Sequence, residues 1–414
     1  MDLIIRKAKI EKQDDLVDIG ISDGRIAVIS KNIEAKAGQE IDAKGMLASP
    51  PFIDSHHHLD MAFITDVVNK SGTLEEAIAL TTERKKHYTA QDLVERAGRA
   101  IRLAVTNGTL WIRSHVDVDP VAGLRLLQGV LEARQRFADM LSIQVVAFPQ
   151  LGLARKPEAQ RLLRQAMLAG ADVVGGMPHG EATPEDAARH IEMAFDIARA
   201  FDADVDMHVD ETDDPQSHTL ELLAEATIRH GYQGRVTASH CCALSAYDEQ
   251  YARQVIEKVK AAQISIITNP PINLMLQGRH DRGPVRRGIT RVKELLDAGV
   301  NVACGQDDID NPFYPFGRMD MLEVALFTAH AAHLGMPHEI QMAFDMPRYN
   351  AARALRLPEY GLKVGAPANI VIIDAASAHD ALRLQPDRRY VIKEGQIIAE
   401  TVTTTKLKGK PVRR

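Results

Sequence analysis

The strongest constraint on the fold is a repeat along the chain, in which short apolar runs alternate with longer segments of helical periodicity. In one such segment, residues 184–200, the side chains of Ile191, Phe195 and Ala198 recur at helical spacing, and Thr183 is a typical N-cap. The runs predicted as strands are 46–53, 109–113, 143–148, 172–175, 203–207, 235–238, 264–268 and 300–303. Strands alternating with helices form parallel sheets, and eight units favour closure. We therefore predict an α/β protein with a (β/α)8, TIM-type barrel.

Both ends of the chain have a different pattern, made of short β-type runs joined by turns. These runs are 3–5, 17–21 and 25–29 at the N-terminal end, and 368–373, 390–392 and 397–398 at the C-terminal end. Neither end is long enough to bury a core alone, so we expect the two ends to pack together. We predict a small β-sandwich domain from residues 1–48 plus 360–414, and a catalytic barrel from residues 49–359.

Charge and composition argue against several classes of function. The net charge of -6 over 414 residues provides neither a basic face for nucleic acid nor a polybasic patch for a membrane. No apolar run approaches the length of a transmembrane helix, and the first residues lack the apolar core of a signal peptide. The three cysteines, Cys241, Cys242 and Cys304, are too few for a disulfide framework and suit a reducing compartment. We expect a cytoplasmic homo-oligomer that acts on a small molecule.

Polar and ionisable side chains follow nearly every predicted strand. In chain order they are His56 and His58, His115 and Asp117, Gln150, His179 and Glu181, His208 and Glu211, His240, Asn269 and Asn273, and Asp307 and Asp308. The carboxyl ends of barrel strands meet at one rim, which is where such barrels carry their active sites. Clustered titratable groups in a concavity usually mark a functional site. We therefore predict a catalytic site at this rim.

The first strand ends in a pattern that suits metal binding. Side chains alternate between the faces of a strand, so His56 and His58 are expected to point the same way and His57 the other way. Several imidazoles with one carboxylate form a site for Zn²⁺ or Fe²⁺ that keeps a coordination position open. The alternative is a polar strand end whose histidines bond to backbone groups.

Beyond single residues, the chain resembles the bacterial cytosine deaminases of the metal-dependent amidohydrolase superfamily over nearly its whole length. The stretches that carry the resemblance are Pro51-Phe52-Ile53 leading into His56-x-His58-Leu59-Asp60, Ser71-Gly72-Thr73-Leu74, Ser114-His115-Val116-Asp117-Val118, Val146 to Gln150, His208-x-Asp210-Glu211, Val236 to His240, Leu276 to Arg279, Arg286 to Glu294, and Asp307-Asp308. The zinc cytidine deaminases have a different signature, His-x-Glu with Pro-Cys-x-x-Cys, which this chain lacks.

The resemblance implies a role for each matching residue. His56, His58, His208 and Asp307 would hold one divalent ion, and Asp307 would also belong to the catalytic group. Glu211 would shuttle protons, and His240 would lie beside the nucleophilic water. Gln150 and Asp308 would bind the ring, together with backbone around Leu74. The fourth predicted strand does not end in a lysine, so a two-metal site bridged by a modified lysine is not expected.

Four positions depart from the pattern of the cytosine-specific relatives. Gly180 and Ala182 stand where those relatives have aromatic residues, Gln306 stands for histidine, and Phe313 stands for tryptophan. We therefore expect a hydrolytic deaminase of cytosine or a related amino-pyrimidine ring, with altered pocket walls. The alternatives are an amidohydrolase that removes an amine from an N-alkylammelide-like triazine or another cyclic amidine, and a non-catalytic barrel used as a scaffold. The irregular stretch 270–288 is predicted to be a lid, a subunit contact or a solvated loop.

Overall fold

The computed structural model describes residues 1–11, 13, 15–406 and 408. The strands are Leu3–Ala8 (β1), Val17–Ser22 (β2), Arg25–Ser30 (β3), Gln39–Asp42 (β4), Leu47–Ser49 (β5), Phe52–His57 (β6), Thr109–Asp117 (β7), Ser142–Phe148 (β8), Val173–Gly176 (β9), Asp204–Val209 (β10), Val236–His240 (β11), Ser265–Thr268 (β12), Val302–Cys304 (β13), Ile370–Ile373 (β14), Arg388–Lys393 (β15) and Gln396–Glu400 (β16).

The helices lie mostly between the strands of the barrel. They are Leu74–Arg84 (α1), Ala90–Thr106 (α2), Arg125–Arg136 (α3), Pro157–Ala169 (α4), Pro184–Phe201 (α5), Thr219–Arg229 (α6), Glu249–Ala261 (α7), Pro270–Leu276 (α8), Val292–Asp297 (α9), Met321–Ala331 (α10), Pro337–Asp345 (α11), Ala351–Ala354 (α12) and Ala378–Leu384 (α13). No helix in the described part of the chain has the length and apolar character needed to cross a membrane.

The central sheet is a parallel barrel built from the eight predicted strands. Its order runs from β6 through β13, with each strand beside its neighbour in sequence. The first and last strands are linked where the Asp307 N–H donates to the His56 carbonyl at 2.8 Å and the His58 N–H donates to the Asp307 carbonyl at 2.9 Å. These two bonds close the sheet, so the predicted TIM-type barrel is confirmed.

The barrel helices follow from local sequence signals. In α5, the Thr183 hydroxyl accepts the N–H of Asp186, and Pro184 occupies the first turn, where a missing N–H costs nothing. The stretch 270–288, predicted to be irregular, is partly helical: residues 270–276 form α8, with two prolines in its first turn. In the remainder of the 270–288 stretch, the Arg286 guanidinium bonds to Asp281 at 2.7 Å and donates to the Asp213 carbonyl at 2.8 Å.

The chain ends form two four-stranded sheets, in the orders β3-β2-β1-β4 and β16-β15-β14-β5. Ile5 and Ile19 of one sheet and Ile370, Ile372 and Ile392 of the other share one buried core. This arrangement confirms the predicted β-sandwich from both chain ends.

The chain divides into two compact units. One contains Met1–Pro51, Val105–Gly108 and the chain from Glu359 onward, and the other contains Phe52–Ala104 and Thr109–Pro358. Compared with the predicted boundaries at 48 and 360, residues 49–51 and a short stretch before β7 belong to the first unit. The predicted boundaries stay a prediction, and residues 407 and 409–414 of the predicted small domain lie outside the described residues.

Candidate metal centre and active site

Four candidate metal ligands meet at the carboxyl end of the barrel. His56 lies in β6 and His58 directly follows that strand, while His208 lies in β10 and Asp307 follows β13. The approach of β13 to β6 requires glycine at position 305, since a Cβ there would lie 2.7 Å from the Cβ of His56. Barrel closure therefore brings Asp307, which follows the last barrel strand, against the first barrel strand.

The distances among these four side chains suit a single divalent ion. The Nε2 atom of His208 lies 3.2 Å from Nε2 of His56 and 3.1 Å from Nε2 of His58. The Asp307 Oδ1 atom lies 3.3 Å from His56 Nε2 and 3.5 Å from His58 Nε2. Two ligands that each lie about 2.1 Å from a tetrahedrally coordinated ion are about 3.4 Å apart. The four atoms thus have the spacing of a coordination shell.

The protonation of the cluster also fits a cation. Burial lowers the pKa of His56 to about 4 and lowers the pKa values of His58 and His208 well below the ordinary range. Neutral imidazoles offer the lone pair that a metal requires. The other carboxylate oxygen of Asp307, Oδ2, has no hydrogen-bond partner among the described residues. These residues therefore form a cluster able to bind a metal ion.

A hydrogen-bonded chain beneath the cluster orients His56. Its Nδ1 atom lies 2.9 Å from the Ser239 hydroxyl, and this hydroxyl donates to Asp206 at 3.3 Å. The hydroxyl must then accept from Nδ1–H, which leaves the Nε2 lone pair directed at the cluster. The Arg113 guanidinium donates to Asp206 at 2.8 Å and holds it in place.

Glu211 and His240 lie beside the cluster and contact each other. His240 Nδ1 is 3.2 Å from Glu211 Oε1, and His240 Nε2 is 3.6 Å from Asp307 Oδ2. The Asn273 amide donates to the same Glu211 oxygen at 3.2 Å. Burial, followed by the charges of Asp307 and Asp308, raises the pKa of Glu211 well above its ordinary value. Glu211 is therefore suited to carry a proton near neutral pH.

A small cavity opens over these residues. Its polar lining consists of His58, Gln150, His208, Glu211, His240, Asp307 and Asp308, and its apolar lining of Met61, Leu74, Ile78, Met177, Ile272 and Phe313. Apolar walls with a few convergent polar groups are typical of small-molecule sites. The residues to which the resemblance assigns a role all line this cavity, except His56, which lies in the adjoining cluster of candidate metal ligands.

The profile of the Amidohydrolase family matches residues 39–399. The chain belongs to the amidohydrolase family. It is 32% identical over 411 residues to N-isopropylammelide isopropyl amidohydrolase from Pseudomonas sp. strain ADP, covering 96% of this chain and 97% of the relative. It is 32% identical over 386 residues to a pterin deaminase from Rhizobium rhizogenes, covering 92% and 87%.

Among solved structures, 5-methylcytosine deaminase from Klebsiella pneumoniae liganded with 5-fluorocytosine superposes with a TM-score of 0.94. The sequence identity is 38%, and the match covers 98% of this chain and 99% of that one. These findings confirm the predicted resemblance to cytosine deaminases and the assignment of this amidohydrolase as a hydrolase of C–N bonds. The roles of the individual site residues stay predictions.

Several polar residues predicted at the rim do not line the cavity of this amidohydrolase, among them His115, Asp117 and His179. His115 is fully buried, and neither of its ring nitrogens has a hydrogen-bond partner among the described residues. Asp117 bonds to the buried ammonium group of Lys85 at 2.6 Å. His179 Nδ1 lies 3.3 Å from the carbonyl of His208, to which it donates. These side chains support the rim without reaching the cavity.

Two of the four departures are located away from the cavity. Gly180 ends a short helical turn, 178–180, that carries it and Ala182 to the exposed outer side. The cavity wall at this point is Met177, and a Cβ at position 180 would lie 3.4 Å from its methyl group. Gly180 and Ala182 thus do not line the cavity themselves, and Met177 forms its wall beside them.

The other two departures differ from each other. The Gln306 side chain donates to the backbone carbonyl of Asp308 at 3.3 Å and does not line the cavity. This hydrogen bond ties the side chain of Gln306 to the backbone of Asp308. Phe313 does line the cavity and packs with Leu276 and Ile272 in one buried cluster.

Several residues of the site had no assigned role from the sequence. Asn273 and Asn269 were predicted at the rim, and both contact His240, with Asn269 Nδ2 at 3.3 Å from Nε2. Met177 and Ile78 form apolar cavity walls. Met177 could have been predicted as a cavity residue because it directly follows β9. Ile78 could not, because only the packing of α1 places it in the cavity wall.

Proposed function

We propose that this amidohydrolase hydrolytically deaminates an amino-pyrimidine ring related to cytosine, releasing ammonia. The observation that carries the proposal is the four-ligand cluster of His56, His58, His208 and Asp307, which lies directly beside a protonatable Glu211 in a small cavity. The family and the similar 5-methylcytosine deaminase support the reaction class.

One divalent ion, zinc or iron, would be held by the four residues of the cluster. Such an ion activates a water molecule as the nucleophile at neutral pH. The donor set of three imidazoles and one carboxylate suits either of these two ions. A single ion is expected because the fourth barrel strand, Val173–Gly176, contains no lysine that could bridge two metal ions.

The chain's own residues then account for the proton transfers. Water adds its oxygen to the aminated ring carbon, the carbon–nitrogen bond breaks, and ammonia leaves, so protons must move from the water to a ring nitrogen and to the amine. Glu211 is a single carboxyl group that would lie between the water and the ring, and it can take a proton from the water and pass protons to the ring nitrogen and the amine in turn. His240, at 3.2 Å from Glu211, would lie beside the attacking water and hold it in position.

Ring recognition is assigned to the polar end of the cavity. Gln150 offers an amide donor and acceptor, and its Oε1 atom has no hydrogen-bond partner among the described residues. The Asp308 carboxyl group is held by the amide of Asn311 and lines the same cavity. Leu74 lies at the first position of α1, where backbone N–H groups are free of intrahelical partners. The three together fit a planar ring that carries amide-like edges.

The apolar walls favour a ring with a substituent. Met177, Ile78 and Phe313 line the cavity, and none offers a hydrogen bond to the ring edge that it faces. Burying one added methyl group contributes about 0.8 kcal/mol, or roughly a fourfold gain in kcat/KM. We therefore infer that 5-methylcytosine is a better substrate than cytosine.

The oligomer is proposed to be homomeric, which light scattering on the purified protein tests.

The removal of an alkylamine from a triazine is the second candidate, supported by the similarity to the ammelide amidohydrolase over 96% of the chain. A substrate panel on metal-loaded enzyme separates the candidates, with ammonia and isopropylamine measured together for cytosine, 5-methylcytosine, isocytosine and N-isopropylammelide. We expect ammonia release with 5-methylcytosine ahead of cytosine. Cytosine ahead by tenfold would overturn the preference for a substituted ring, and isopropylamine as the main product would favour the second candidate. The Glu211→Gln protein serves as the blank for contaminating activity.

A further inference from the structure

Glu181 was predicted at the rim, yet its carboxylate is directed away from the cavity and into the protein. Only 2% of its side chain is exposed. One oxygen, Oε1, accepts the backbone N–H groups of Leu153 at 2.6 Å and Ala154 at 2.9 Å, and also lies 2.8 Å from Nδ1 of His190. A single carboxylate oxygen therefore holds the segment that follows β8.

The His190 ring continues this chain of hydrogen bonds on its other side. Its Nε2 atom accepts the backbone N–H of Met177 at 3.2 Å. An accepting Nε2 places the ring proton on Nδ1, which donates to Glu181. The ring is fully buried in α5, and Gly176 gives it room, since a Cβ there would lie 2.7 Å from Nε2.

The linked segments carry two residues of the cavity wall. Gln150 lies three residues before Leu153, across a tight turn in which the Gly152 N–H donates to the Pro149 carbonyl at 3.0 Å. Met177 is itself bonded to the ring of His190. A displacement of Leu153 would therefore also move Gln150, and a displacement of the Met177 backbone would move the Met177 side chain in the cavity wall.

We propose that Glu181 and His190 form a positioning pair that sets the pocket wall of Gln150 and Met177, and thereby the affinity and selectivity for the ring. This inference rests on the proposed function, because it takes Gln150 as a ring contact. The pair acts through these residues and does not touch the substrate.

The charge on Glu181 supports this role. Burial raises the pKa of its carboxyl group, but the hydrogen bonds from His190, Ala154 and Leu153 outweigh burial and lower the pKa to about 2. Glu181 is therefore ionised near neutral pH, and the hydrogen bonds that its carboxylate accepts are charge-assisted and strong.

Glu181→Gln tests the pair because it keeps the shape and removes the charge. We expect KM for the preferred ring to rise ~10-fold while kcat stays within about threefold, since the chemistry of the cluster is untouched. Metal content should match that of the wild type. Glu192→Gln is the matched control, because Glu192 pairs with His230 at 2.9 Å and with Arg229 but lines no part of the cavity. An unchanged KM in Glu181→Gln would overturn the proposal.

Amide hydrogen exchange gives a readout that is independent of catalysis. In Glu181→Gln, the amides of Leu153 and Ala154 should exchange about tenfold faster, and in the Glu192→Gln control they should not. Normal exchange at both amides would overturn the link even if KM changed. If the wild type deaminates no ring in the panel, the proposed function fails, while the exchange experiment still decides whether the pair holds the segment.

His190→Asn divides the pair into its two halves and replaces the first variant if that one fails to fold. The asparagine amide can still donate where Nδ1 donated, but it cannot reach the N–H of Met177. Exchange should accelerate at Met177 and not at Leu153, and the preference for 5-methylcytosine over cytosine should fall about threefold. Unchanged exchange at Met177 together with unchanged selectivity would contradict the proposal.

Discussion

At the scale of single residues, burial favours the uncharged forms of the side chains in the site. Burial lowers the pKa of His56 to about 4, so its imidazole is neutral and able to bind a cation. Burial acts in the opposite sense on Glu211, whose pKa it raises, with further contributions from Asp307 and Asp308. Burial in one cavity thus favours the neutral form of the imidazoles and the protonated form of Glu211, a pairing that suits hydrolytic deamination.

Glu211→Gln should separate proton transfer from metal binding. The glutamine keeps the size of the side chain and its contact with Asn273, at 3.2 Å in the wild type, but cannot carry a proton. We expect kcat to fall by roughly a hundredfold or more at unchanged metal content, measured by steady-state kinetics and elemental analysis.

The exposed Glu185, in the first turn of α5, provides the matched control, and Glu185→Gln should retain wild-type kcat. The proposed role of Glu211 is wrong if Glu211→Gln loses its metal, because Glu211 would then be a ligand. It is also wrong if kcat stays close to that of the wild type.

At the scale of elements, the residues that matter lie where strands end and helices begin. His240 ends β11 and Asp307 follows β13, and both have left-handed backbone angles, with φ of 68° and 69°. Such angles are costly for residues with a side chain and persist only where surrounding contacts impose them. For Asp307, the two backbone hydrogen bonds to the first strand supply that constraint.

The start of α5 allows a direct test of an element boundary. The Thr183 hydroxyl accepts the Asp186 N–H at 3.1 Å, so Thr183→Ala leaves that amide without its partner. We expect a loss of about 1 kcal/mol in local stability, seen as a roughly fivefold faster exchange of the Asp186 amide. Thr183→Ser keeps the hydroxyl and should behave like the wild type. Equal exchange in the alanine and serine variants would show that the cap contributes nothing.

At the scale of the whole barrel, a bound ion would join strands that are far apart in the sequence. Its candidate ligands lie in β6 and directly after it, in β10, and three residues after β13, so binding to the folded barrel alone would stabilise that fold. Stability and activity should therefore respond together to metal.

His208→Ala tests this connection. We expect the wild type to gain roughly 5 °C in Tm when metal is present at about a hundred times its Kd, and His208→Ala to gain little and to lose nearly all activity. Differential scanning fluorimetry of chelated and metal-loaded protein measures the shift. His338→Ala, which removes an exposed imidazole in α11, is the control and should respond like the wild type. Full metal content and normal turnover in His208→Ala would refute the ligand assignment.

The sequence by itself determined the barrel, the sandwich and the group of residues at the rim. It could do so because strand and helix periodicities are local, and because the order of parallel strands in a barrel places their carboxyl ends together. The alternation of side chains along one strand likewise placed His56 and His58 on the same side, and their Nε2 atoms both lie within 3.2 Å of His208.

Only the tertiary structure decided which rim residues face the cavity. Met177 forms the wall near Gly180, Gln306 turns to the backbone of Asp308, and Glu181 points into the protein toward His190. The direction of a side chain beyond a strand end depends on the turn that carries it and on partners many residues away. Periodicity ends where the strand ends, so the packing of neighbouring segments had to settle these orientations.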